Sequence, residues 1–158
     1  MIPYNISLDN EECTIETEQI HQNINDYNTN TLINNGIKIM LVNIRNLNKN
    51  HDSLLVLINS LKNKPDIIIC TETRNLTCPH YFNIIEYEIY FNESKINAND
   101  GVVIYVKSNL QHKTTFETFG RIKFLSVTVT NEYNIQIKIS ATYRCHDLKK
   151  DEFITNLE

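Results

Sequence analysis

Three apolar runs in this chain end on residues that handle phosphate and hard cations. Asn43 closes residues 37–42, Glu72 follows residues 67–70, and Tyr143 with Arg144 ends the stretch begun at Ile135. A carboxylate where a rigid strand gives way to a loop can hold a hard divalent cation or a proton. The cations Arg45 and Arg144 can meet phosphate charge. Each residue also has a plain structural use. Asn43 can cap the following turn, Glu72 can pair with Arg45 or Arg74, and Tyr143 can be a rim aromatic.

The elements that would hold these groups are legible in the pattern. Residues 37–43 turn wholly apolar toward their end and read as a first core strand. A polar turn follows, and Asn50 or Asp52 is placed to cap a helix whose apolar face is Leu54, Leu55, Leu57, Ile58 and Leu61. Pro65 stops that helix. Ile67, Ile68, Ile69 and Cys70 then leave no polar face, as in a strand covered on both sides. Strand, helix and strand within about 35 residues make a βαβ crossover, whose parallel strands finish at the same sheet edge. The crossover therefore brings Asn43 and Glu72 together.

Further along, residues 81–91 read as one or two short edge strands, and Asn99-Asp100-Gly101 is a turn leading into the clearest strand, residues 102–106. Residues 108–123, flanked and dotted by Lys107, Lys113, Arg121 and Lys123, read as a surface excursion. Residues 125–130 and 135–139 alternate with period two around a turn and are expected to pair antiparallel. A helix is expected over residues 148–157.

At 158 residues, with 41% hydrophobic and 22% charged side chains, the chain fits one globular domain. Its net charge of −4 is uneven. Residues 1–36 hold six acidic side chains and no Lys or Arg, so they read as an acidic, loosely ordered leader before a mildly basic body over 37–158. The start lacks a basic segment followed by an apolar run, so no secretory signal is read, and no segment has the length of a membrane span. An intracellular setting is expected, with Cys13, Cys70, Cys78 and Cys145 as reduced thiols. Cys78, His80, Cys145 and His146 lack the paired ligand spacing of a zinc site.

Four ordered stretches carry a family likeness: Leu41-Val42-Asn43-Ile44-Arg45-Asn46-Leu47, Pro65-Asp66-Ile67-Ile68-Ile69-Cys70-Thr71-Glu72-Thr73, Gly101-Val102-Val103-Ile104-Tyr105-Val106-Lys107, and Thr142-Tyr143-Arg144 followed by Asp151-Glu152-Phe153. With them the chain resembles the endonuclease/exonuclease/phosphatase superfamily, most closely the endonuclease domains of non-LTR retrotransposons. The resemblance implies the N-terminal half of a two-layer α/β sandwich, a mixed sheet with helices on one face, left incomplete. It also implies phosphodiester cleavage with Mg²⁺, or Mn²⁺ in its place, on a DNA partner reached in the nucleus.

By that likeness Glu72 is the metal ligand, Asn43 helps to position metal or phosphate, and Tyr143 donates to a phosphate oxygen. The departures are local and terminal. Cys145-His146 stands where the family commonly has prolines, and Arg74 where it has an aromatic residue. The family's Gly-Asp-Phe-Asn-like motif and terminal Asp-His pair, which supplies the general base, have no counterpart in this sequence. The expectation is a truncated nuclease domain inactive alone, completed by a C-terminal half or by self-association through an open apolar face. The alternative is a non-catalytic relic half-domain that acts as a binding module.

Overall fold

The computed structural model describes residues 36–74, 76, 78–92, 101–119, 122–130, 134–143 and 149–155. Leader residues 1–35, and with them the expected order of that segment, lie outside the described residues. The elements in chain order are β1 (Ile39–Asn43), α1 (Leu47–Ser60), β2 (Ile67–Thr71), a 3₁₀ turn (Pro79–Phe82), β3 (Tyr87–Asn92), β4 (Val102–Lys107), β5 (His112–Phe119), β6 (Ile122–Thr130), β7 (Gln136–Thr142) and α2 (Lys150–Thr155). They form a mixed four-stranded sheet, order β1-β2-β4-β3, and an antiparallel three-stranded sheet, order β5-β6-β7. The result is an incomplete α/β sandwich.

The apolar run of β2 is the centre of the first sheet, and its alternation divides the core. Ile68 and Cys70, with Val103 and Tyr105 of β4, face α1, where Leu47, Leu54 and Ile58 are buried. Ile67 and Ile69, with Val102, Ile104 and Val106, face the other way onto Leu125, Val127, Val129 and Ala141 of the second sheet. A strand with both faces covered has no place for a polar side chain, and this is why residues 67–70 read as they do. Burying each such side chain is worth about 1.5–3 kcal/mol. Two buried tyrosines are satisfied at their hydroxyls: Tyr105 donates to Phe82 O at 2.9 Å and Tyr87 to Pro65 O at 2.6 Å.

The crossover forms as the pattern predicts, with β1 and β2 parallel and Asn43 opposite Thr71. Two expectations are corrected. Helix α1 starts at Leu47 rather than behind Asn50 or Asp52, with Asn46 at the cap position. Leu47 decides this, because it is fully buried and its N–H donates to Thr73 O at 3.1 Å. Asn50 instead donates its side-chain amide to Ile44 O at 2.9 Å, tying the helix to the end of β1.

The second correction concerns residues 108–123, which hold β5 rather than a surface excursion; all eight residues of β5 pair with β6. Thr114, Thr115, Phe116 and Thr118 are β-branched or aromatic, as a half-covered edge strand requires, and the flanking lysines obscure that signal. The 81–91 stretch resolves into the 3₁₀ turn and edge strand β3, and α2 is described only over Lys150–Thr155.

The two sheets are joined at one margin by polar side chains. Tyr90 of β3 donates its hydroxyl to Glu88 at 2.7 Å and lies 2.8 Å from His112 Nε2 of β5, while His112 Nδ1 donates to Leu110 O at 2.7 Å. Burial and the neighbouring Glu88 push the Tyr90 phenol up to about 12. At the opposite margin the cover ends. Ile39 and Leu41 of β1 share the face of Ile67 and Ile69, yet they are 47% and 52% exposed. No helix among the described residues is long and apolar enough to cross a membrane.

Candidate active site

The two parallel strands end side by side, and backbone hydrogen bonds continue past them. Ile44 N–H donates to Thr71 O at 3.0 Å, Leu47 N–H to Thr73 O at 3.1 Å, and Thr73 N–H to Gly101 O at 3.3 Å. The loops after β1 and β2 and the start of β4 are therefore one hydrogen-bonded rim. On it the Asn43 amide donates to Glu72 Oε1 at 2.9 Å, and Asn43 Oδ1 accepts the Arg45 N–H at 3.1 Å. The amide is held at both ends, so it fixes the carboxylate from one side.

Tyr143 arrives from the second sheet, directly after β7, and its hydroxyl donates to the same Oε1 at 3.4 Å, a long and weak hydrogen bond. Sheet packing alone delivers it, because Tyr143 packs at the margin of the cluster that joins the two sheets. Thus Asn43, Glu72 and Tyr143, 71 residues apart between the last two, converge on one oxygen. Among the described residues Glu72 takes no ion pair, so the pairing with Arg45 or Arg74 is not its use; the second oxygen, Oε2, accepts no hydrogen bond from them either.

The backbone here departs from ordinary conformations. Arg45, Glu72 and Arg74 have φ of 53°, 57° and 62°, three of the five left-handed non-glycine residues among those described. Each such conformation costs about 1–2 kcal/mol, and clusters of them occur where surrounding structure fixes a functional turn. Glu72 turns left-handed as β2 ends, which takes its side chain out of the buried alternation. Arg74 is exposed.

Two residues of this rim carried no functional signal in the sequence. Thr73 is buried beneath Glu72's turn, and Gly101 packs against it so closely that a Cβ there would stand 2.4 Å from Thr73 Oγ1. Gly101 shows in the sequence only as a turn residue. Arg144, Cys145 and His146 lie outside the described residues; Cys78 and His80 are exposed. Among the described residues no group of three or more His, Cys, Asp or Glu could hold a metal ion. What the rim offers instead is one carboxylate oriented through its Oε1 by Asn43 and Tyr143. Mg²⁺ commonly takes one or two carboxylates and fills its other positions with water and phosphate.

A helix on one face of a mixed sheet and a second sheet on the other, with the polar rim at the C-terminal ends of the parallel strands, defines an incomplete α/β sandwich. The crystal structure of AP endonuclease LMAP from Leishmania major has this fold, with a TM-score of 0.53 and 17% sequence identity over 68% of the present chain. At that identity the likeness is one of fold. The match spans 40% of the length of the Leishmania chain. No protein-family model and no curated protein sequence matches the chain.

Proposed function

We propose that this chain is the N-terminal half of a Mg²⁺-dependent phosphodiester-cleaving DNA endonuclease site of the non-LTR retrotransposon type. The observation that carries the reading is the convergence of an amide and a phenol on one oxygen of Glu72, at 2.9 and 3.4 Å. Glu72 would hold the cation, and Asn43 keeps the carboxylate aimed. Tyr143, weakly tied to Glu72, turns its hydroxyl to a phosphate oxygen, and Arg45 and Arg144 bring positive charge to the nucleic-acid strand. A bound Mg²⁺ (or Mn²⁺) would neutralise the charge that develops on the phosphate under attack by water. The general base belongs, by the family likeness, to motifs without a counterpart in these 158 residues.

The test combines metal binding with cleavage. Paramagnetic broadening by Mn²⁺ is expected at Asn43, Glu72 and Tyr143 and is expected to vanish in Glu72→Ala; no broadening at this rim in the wild-type chain rejects the reading. Nicking of supercoiled plasmid with Mg²⁺ above the Glu72→Ala background makes the chain itself a nuclease. Equal background nicking by both, with Mn²⁺ binding intact, assigns cleavage to the completed domain. A second reading, a relic half-domain serving as a binding module, draws on the exposed Ile39 and Leu41 of β1; it is favoured if the rim binds no metal.

A further inference from the structure

Arg74 lies two residues beyond Glu72, so their Cα atoms are at most about 7.6 Å apart, two steps of about 3.8 Å. Its main chain is seated on two neighbouring segments. Thr73, the residue before it, is 1% exposed, donates its N–H to Gly101 O at 3.3 Å and accepts the Leu47 N–H at 3.1 Å. A Cβ on Gly101 would stand 3.2 Å from Arg74 O and 3.5 Å from Arg74 N, so the start of β4 packs directly against Arg74's own backbone. The φ of 62° at Arg74 is a conformation that a side chain of this size keeps only where its surroundings impose it.

The side chain has the opposite character. Arg74 is exposed, and among the described residues its guanidinium takes no hydrogen bond and no ion pair. Lys64, Lys107 and Lys138 each answer a carboxylate, of Glu86, Asp66 and Glu117, whereas the carboxylate two residues from Arg74 is turned to Asn43 and Tyr143. An unpaired cation on a fixed main chain has a defined reach. The guanidinium adds a defined shape, a planar fork of donors that matches two oxygens of one phosphate.

We propose that Arg74 is a positioning residue for a nucleic-acid strand, gripping through its fork the phosphate next to the one that a cation on Glu72 would engage. The inference rests on the phosphodiester reading of Glu72 and adds to it what sets the strand's register. Residues 72 and 74 belong to one turn, so phosphates held at both are held at a fixed separation. That fixes which bond of the strand lies over Glu72, without reading any base.

The experiment measures the affinity of the chain for a short DNA duplex by fluorescence anisotropy, over a series of salt concentrations and with EDTA present so that no metal contributes. Arg74→Ala is expected to weaken binding about three- to tenfold at low salt and to reduce the slope of log affinity against log salt by about one, equally for duplexes of different sequence. Arg74→Lys, which keeps the charge and loses the fork, restores the slope and only part of the affinity. Arg74→Tyr, which can stack on a base and cannot pair with phosphate, behaves as Arg74→Ala does. Circular dichroism confirms that each variant is folded. No duplex binding by the wild-type chain, wild-type affinity and slope in Arg74→Ala, or wild-type affinity in Arg74→Tyr each overturns the proposal. The metal reading is judged separately by Mn²⁺ broadening at Asn43, Glu72 and Tyr143; its absence, with the Arg74 effects intact, fails that reading alone and still supports the Arg74 contact.

Discussion

Gly101→Ala tests how the candidate rim is held together. Gly101 has φ of +137°, a conformation L side chains rarely adopt, which costs an alanine about 1–3 kcal/mol. The new methyl would also stand 2.4 Å from Thr73 Oγ1 and 3.2 Å from Arg74 O. Thr73 is 1% exposed and its N–H is tied to Gly101 O, so it has little room to withdraw. Overpacking of this kind costs about 1–3 kcal/mol. The expected loss is therefore about 2–6 kcal/mol, read as a lower urea midpoint with unchanged slope. Gly101→Ala with Thr73→Ala separates the two contributions: the clash is relieved and the backbone penalty stays, giving a coupling of about 1 kcal/mol or more. Gly101→Ala within about 0.5 kcal/mol of wild type, the range of neutral surface changes, refutes the argument, as does strict additivity.

Burial pushes the Cys70 thiol up to about 12 from an ordinary value of 9.0, so the native state keeps its proton where the unfolded chain loses it. That contribution to stability is fully present below about pH 9 and is lost as pH rises toward 12; alkylation mapped by mass spectrometry at pH 9 should modify exposed Cys78 and spare Cys70 until the chain unfolds. Asp66→Asn weakens the bond to Lys107, whose partners are 18% and 22% exposed at the side chain, and should cost about 1–3 kcal/mol in urea unfolding. Asn43→Ala should weaken Mn²⁺ binding at Glu72 more than Tyr143→Phe does, since the amide holds Oε1 at 2.9 Å and the phenol at 3.4 Å; equal effects would contradict that ordering.

What the sequence determined is whatever follows from period and punctuation. Four apolar residues before Glu72 require a strand covered on both faces, and Pro65 with the leucine stripe before it requires a helix of crossover length. A right-handed crossover then leaves Asn43 and Glu72 no choice but the same edge. Tertiary structure decided the rest. Helix α1 begins at Leu47 because the core has a place for that side chain, which no capping residue announces. The polar strand β5 exists because β6 offers it a full ladder. Tyr143 reaches Glu72 and Gly101 seats against Thr73 through contacts between residues far apart in the chain. Local patterns carry no record of such contacts, because burial is settled by what packs opposite.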